Sequence, residues 1–158
     1  MSEVIKLAAA APVADILTRE AVCVRSDDVL IDVVSLMKEN RRGSVVVEDE
    51  DGRLVGIFTE QDLVTRIDHR SHDWHRLPVR EVMTRHPVCV TVDDSVSTAI
   101  RRMNQGGFRR LTRVDPEGRP AGIVSIRDLV SFVASQFPQE FLNLPPDPAR
   151  EATEPWGG

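Results

Sequence analysis

Apolar residues along this chain follow two spacings, short continuous runs and a three-and-four helical stripe, and the whole succession of elements occurs twice. The first copy predicts a short helical turn at Val13 to Leu17 and then an apolar strand at Ala21 to Val24. Asp27-Asp28 predicts the start of a helix, because acidic groups favour its positive end. Leu30, Val33, Val34 and Met37 then mark one buried helix face. A glycine after the last periodic residue predicts the stop at Arg42-Gly43. A strand follows at Ser44 to Glu48, and the Asp51-Gly52 turn folds it against a second strand running through Gly56-Ile57-Phe58-Thr59. A last helix opens at Asp62-Leu63-Val64.

The second copy predicts the same elements at Val79 to Met83, Pro87 to Val90, Asp93-Asp94, the stripe Val96, Ala99, Ile100 and Met103, and the stop Gly106-Gly107. The strand Arg110 to Val114, the turn Glu117-Gly118 and the junction Gly122-Ile123-Val124-Ser125-Ile126-Arg127-Asp128-Leu129 complete it. A shift of 66 residues superposes Pro12 through Val64 on Pro78 through Val130 without a gap, with 18 identical pairs in 53. Two copies are too few for a solenoid. Each would have a thin core alone, so pairing about a pseudo-twofold axis is the expected solution. The expected fold is mixed α+β, with the order β-α-β-β-α twice. The expected divisions are an N-terminal extension (1–11), repeat one (12–67), a linker (68–77), repeat two (78–137) and a tail (138–158).

Composition changes this picture little. A 41% hydrophobic fraction and 28% charge suit a globular domain of 158 residues. A net charge of −5 argues against indiscriminate nucleic-acid binding. No apolar run reaches membrane-spanning length, and a signal peptide is not expected from Leu7 to Ala11, so the expected compartment is the cytoplasm. Cys23 and Cys89 occupy equivalent positions and read as small buried hydrophobes rather than a disulfide. The segment Val4 to Ala11 either extends the first copy or swaps onto a neighbour. Five prolines between Pro138 and Pro155 predict an extended or disordered tail, with Phe141 and Leu142 as possible docking points.

The candidate chemistry lies at the repeated strand-to-helix junction. Thr59 and Ser125 each stand three places before an acid, Asp62 and Asp128, which is the pattern of a helix capping box. On one reading these groups only cap helices. On the other, each junction also offers a hydroxyl, a carboxylate and free N–H groups to one small molecule. The two readings are compatible.

The element order, the hairpins and the Gly-apolar-apolar-Thr/Ser-x-x-Asp junction resemble a tandem pair of CBS domains, the Bateman module. Gly107-Phe108-Arg109-Arg110-Leu111 is similar to the approach to a strand in that family, although Thr112 stands where the family often has proline. The resemblance covers about residues 8 to 135. It implies a regulatory module, commonly a disc-like homodimer, with two clefts that take adenosine ligands such as AMP, ADP, ATP, S-adenosylmethionine or NAD. The ribose and phosphate contacts it implies fall on Thr59 and Asp62 and on Ser125 and Asp128. An ionised aspartate has about four acceptor sites, enough to hold two ribose hydroxyls and an N–H of its own helix. Helix N-termini also suit phosphate. Ile57 and Ile123 either flank adenine or belong to the core. Thr18, Thr84 and Ser44 complete the candidate ligand contacts.

Charge separates the copies. Residues 1–67 carry 8 basic and 13 acidic groups, residues 68–137 carry 11 and 8, and the tail carries 1 and 4. Arg109 and Arg110 are the candidate phosphate ligands, since guanidinium forks bind phosphate bidentately. Arg101 and Arg102 are assigned to a solvated helix face. His69, His72 and His75 form a candidate metal cluster, but helical spacing turns His75 away and Arg70 and Arg76 oppose a cation. The tract is therefore expected to be a polar linker anchored by Trp74. No nucleophile–base pair or glycine-rich phosphate loop is evident, so catalysis is not expected. The leading expectation is a nucleotide sensor that meets its regulated protein in trans. A ligand-free dimerising scaffold and nucleic-acid binding through the arginines of the second copy are the alternatives.

Overall fold

Two small sheets, one largely from each copy, carry the architecture of residues 3–137, the part that the computed structural model describes. The first sheet runs in the order β1 (Cys23–Arg25), β2 (Ser44–Glu48), β3 (Leu54–Thr59), β4 (Thr84–Arg85). The second runs β5 (Cys89–Val90), β6 (Arg110–Val114), β7 (Pro120–Ser125). In each sheet the first pair is parallel, joined by a crossover helix, and the second is an antiparallel hairpin. The helices are α1 (Glu3–Ala10), α2 (Leu30–Glu39), α3 (Glu60–Thr65), α4 (Val96–Gly106) and α5 (Ile126–Ser135). The mixed α+β fold and the doubled β-α-β-β-α order are as the sequence predicts. The proline-rich tail, with Phe141 and Leu142, lies outside the described residues.

Both hairpin turns are closed by one side chain. Asp49 accepts the N–H groups of Asp51 and Arg53, and Asp115 accepts those of Glu117 and Arg119. Gly52 (φ 78°) and Gly118 (φ 82°) supply the left-handed residue that such turns require.

Several local expectations need correction. The opening strands begin two residues later than expected, at Cys23 and Cys89. Asp28 and Asp94 do not sit in the first helical turn. Their carboxylates instead accept the N–H of Arg25 and Thr91, both at 2.8 Å, so the helices start later, after Val29 and Ser95. The first long helix ends before Arg42-Gly43. Arg41 takes the left-handed conformation (φ 52°) at the position equivalent to Gly107 (φ 67°). There the Arg42 N–H returns to the Met37 carbonyl at 2.9 Å, as the Phe108 N–H does to Met103.

The cysteines are not core residues either. Cys23 is exposed and Cys89 half-buried, and both are free thiols. Partial burial of the sulfur, then the hydrogen bond and charge of Glu48, push the Cys23 thiol up to about 12. It is therefore no nucleophile at neutral pH.

Arg102, expected on a solvated face, is half-buried and pinned. Its Nη1 donates to Asp94 Oδ2 at 2.7 Å and to the Cys89 carbonyl at 2.8 Å. Burial opposes ionisation of Asp94, but the Thr91 N–H and the Arg102 guanidinium outweigh it and hold the carboxyl below its usual value. A folded-state value that is depressed gives stability that is present above the unfolded carboxylate range and lost as pH falls through the folded value. Replacing Asp94 by Asn is expected to cost about 1.5–3 kcal/mol at pH 7. Acid titrations followed by circular dichroism should show the gap between the two proteins closing as the pH falls through and below the usual carboxylate range. A constant gap down to the acid limit would remove Asp94 from the pH response.

The decisive feature of the fold is a crossing. The short turn that leads each copy packs in the core of the other. Val13 and Ile16 lie with Val90, Val96, Ala99, Leu111, Val124 and Leu129, whereas Val79, Val82 and Met83 lie with Val24, Leu30, Val33, Val45 and Phe58. The hydrogen bonds repeat this exchange under the 66-residue shift. Val13 N–H donates to Asp94 O (2.7 Å) and Val79 N–H to Asp28 O (2.8 Å), while Val96 N–H donates to Ala11 O (2.8 Å) and Leu30 N–H to Leu77 O (2.9 Å). The pseudo-twofold axis is thus written into backbone bonds. Helix α1 follows the same route and packs on α4 and α5, so the N-terminal segment covers the second copy instead of extending the first.

Candidate functional site

The two repeated junctions fold as matching capping boxes. Thr59 Oγ1 accepts the Asp62 N–H at 3.2 Å, and Asp62 Oδ2 accepts the Thr59 N–H at 2.9 Å and its hydroxyl at 3.0 Å. Ser125 and Asp128 repeat the arrangement at 3.1, 2.9 and 2.6 Å. Capping therefore accounts for Oδ2 of each aspartate. It leaves Oδ1. In the first copy this oxygen meets Arg66 Nε at 3.2 Å, and the same guanidinium is held by the Met83 carbonyl at 3.0 Å. One acceptor direction of Asp62 remains for a ligand, not the two that counting lone pairs suggests. Helix α3 spans six residues, so its N-terminus adds little dipole and side chains must supply any anion recognition.

Asp62 is only 8% exposed yet borders an open cleft of about 810 Å³. Of the residues singled out in the sequence, Ser44, Ile57, Thr59, Asp62, Thr84, Arg109 and Arg110 line this cleft together. Strands β2 and β3 bring Ser44, Ile57 and Thr59, helix α3 brings Asp62, the crossing segment at β4 brings Thr84, and the start of β6 brings the arginines. The sequence reading missed His86, Phe108 and Thr112, which also line it. Phe108 lies inside the Gly107-to-Leu111 motif, which was the available signal. Thr112 is 1% exposed, and its hydroxyl finds no partner in the protein. A buried unpaired hydroxyl is costly, and this oxygen is closed off from the solvent of the cleft.

The pseudo-equivalent hollow is much smaller, about 50 Å³. Ile123 and Ser125 line it, with Ser44 and Arg110 shared from the larger cleft. Under the 66-residue shift its Arg41 and Arg42 stand where the open cleft has Gly107 and Phe108, and Glu20 stands for His86. Thr18 and Asp128 line neither cavity. The Thr18 hydroxyl crowds Gly122 of β7 instead, where an added Cβ would meet it at 2.9 Å. Neither Ile57 nor Ile123 belongs to a core cluster; both are half-buried cavity walls.

The histidine tract does not assemble. Trp74 stands edge-on between His69 and His75, at ring distances of 5.5 and 6.0 Å, and packs against the first core. His69 Nε2 lies 2.8 Å from the Leu63 carbonyl. Among the described residues no group of three His, Cys, Asp or Glu side chains is placed to hold a metal. No helix among them is long and apolar enough to cross a membrane.

Comparison with known proteins gives the family and the fold. The CBS domain model matches residues 13–69 and again 79–135. The chain belongs to the CBS domain family. An uncharacterized 17.7 kDa protein of Acidianus ambivalens is 36% identical to this CBS pair over 132 residues, 84% of this chain and 79% of that one. In other curated relatives the match spans less of the partner, 60% of one and 27% of another. Among solved structures, the CBS domain of a CBS-domain-containing membrane protein from Sphaerobacter thermophilus is 31% identical with a TM-score of 0.67, covering 82% of this chain and 91% of that one. A CBS domain protein from Pyrobaculum aerophilum, complexed with AMP, has a TM-score of 0.65 at 23% identity, covering 78% and 98%.

Proposed function

We propose that the larger cleft binds an adenosine nucleotide and that the CBS pair reports its occupancy to a partner protein in trans through the geometry of a homodimer. The observation that carries this proposal is the convergence of complementary groups on one cavity. The free acceptor of Asp62 suits a ribose hydroxyl, Ile57 and Val88 offer apolar walls to a purine, and Arg109 and Arg110 face it with cationic forks. A volume of about 810 Å³ is within the range of small-molecule sites, roughly 300–1,000 Å³. The AMP held by the Pyrobaculum aerophilum protein supports the ligand class. Val64 and Val130, exposed at equivalent positions of α3 and α5, support a surface that pairs with another copy.

The test is a melting screen of the full chain against AMP, ADP, ATP, NAD and S-adenosylmethionine. A true ligand at a hundred times its Kd should stabilise the fold by about 2.7 kcal/mol. For that ligand, Arg109→Ala is expected to weaken binding by about 1.5–3 kcal/mol in calorimetry, the scale of one charge-assisted hydrogen bond. If none of the five shifts the melt, the ligand-free scaffold is the better account.

A further inference from the structure

The small hollow beside Ser125 is the least expected feature of the site. Pseudo-symmetry makes it the counterpart of the open cleft, yet about 50 Å³ is far too little for a nucleoside. Its lining is also different in kind. Arg19, Arg41, Arg42 and Arg110 converge on it against one carboxylate, Glu20. Among the described residues, none of these guanidinium groups has a carboxylate within ion-pair distance. Arg42 is half-buried and Arg19, Arg41 and Arg110 are exposed, so solvent screens part of their mutual repulsion, and an anion in the hollow relieves the remainder. The hollow is also not separate from the open cleft: Gly43, Ser44 and Arg110 line both.

We propose that this hollow is no second nucleoside site but the seat of the terminal phosphates of a nucleotide whose nucleoside lies in the larger cleft, so that the module selects nucleoside polyphosphates over monophosphates. The inference rests on the larger cleft being a nucleotide site. Arg110 stands at the junction, with Arg109 on the cleft side and Arg41 and Arg42 on the far side. Guanidinium forks can take two oxygens of one phosphate, and several together favour a chain of phosphates over a single one. Across the two lining sets, six arginines (19, 41, 42, 66, 109, 110) face Glu20, Glu60 and Asp62, which leaves a positive excess for a polyanion. Arg41 adopts φ 52°, so replacement by glycine preserves the helix end while removing the charge.

Calorimetry on the full chain with AMP, ADP, ATP and inorganic triphosphate tests this directly. ATP is expected to bind at least tenfold more tightly than AMP, with one nucleotide per chain. The double variant Arg41→Gly/Arg42→Ala should lose that preference while its AMP affinity stays within twofold. Glu20→Gln, which removes the acid from the hollow, should tighten ATP and leave AMP unchanged; it serves also if the double variant folds poorly. Equal affinities for AMP and ATP, two nucleotides per chain, or a double variant that weakens AMP and ATP alike would each overturn the proposal while leaving the nucleotide cleft standing. Failure of every adenosine ligand to bind would overturn both.

Discussion

Asp62→Asn is expected to weaken nucleotide binding about 10- to 100-fold, whereas Asp128→Asn should change it less than about twofold; the larger figure corresponds to one charge-assisted hydrogen bond of up to about 3 kcal/mol. The two aspartates cap their helices alike through Oδ2, but Asp62 also meets Arg66 through Oδ1. They differ in surroundings. Asp62 borders the open cleft, and Asp128 borders neither cavity. An asparagine at position 62 must set its NH2 either toward the Thr59 N–H, losing the cap, or toward Arg66, losing the acceptor that faces the ligand. Both variants should lose about 1 kcal/mol of stability from the weakened cap. The comparison therefore separates capping from binding. Melting curves would give the first quantity and calorimetry the second. Equal loss of affinity in the two variants would mean that the aspartates do not divide the work as the cavities suggest.

Phe58→Ala is expected to be the most destabilising single change, at about 3–5 kcal/mol. The ring is fully buried among Val24, Leu30, Val33 and Val45. Val124, its counterpart in the second copy, presents less volume, and Val124→Ala should cost about 2 kcal/mol. A loss of 3–5 kcal/mol is a large share of the 5–15 typical of a domain. Because Val79, Val82 and Met83 complete the core around Phe58 while Val13 and Ile16 complete the other, the damage should spread to both sheets. Unfolding of the variant should remain a single transition. Hydrogen exchange should show amide protection in β6 and β7 falling together with that in β2 and β3. Retained protection in the second sheet alone would show that the halves unfold independently.

Much of this was legible in the residues. The shift of 66 gave the hairpins, the two long helix stripes and the paired capping boxes, since those depend on local patterns of period two and period three to four. The strands Ser44 to Glu48 and Arg110 to Val114 have the bounds that their apolar runs suggest. The crossing of the lead turns was not legible, because Val13 and Val79 are equally apolar whichever core receives them. Nor was the placing of Arg41, since no pattern requires a non-glycine residue to accept a left-handed backbone. Arg102 reads like any surface cation, because its partner Asp94 lies in the turn before α4 and no helical spacing links the two. The inequality of the two cavities, with Arg41 and Arg42 standing where the open cleft has Gly107 and Phe108, emerges only in a fold with both copies in place. Counting lone pairs on aspartate likewise overstated what Asp62 can offer, because Arg66 draws on Oδ1.

The exchanged lead turns also bear on inheritance. Recombination that moved one copy into another gene would strip an apolar plug from the copy left behind and carry away a plug with no socket. Two damaged folds would result from one cut. The smallest tradeable piece of this chain is therefore the pair, since each half relies on its sibling for closure.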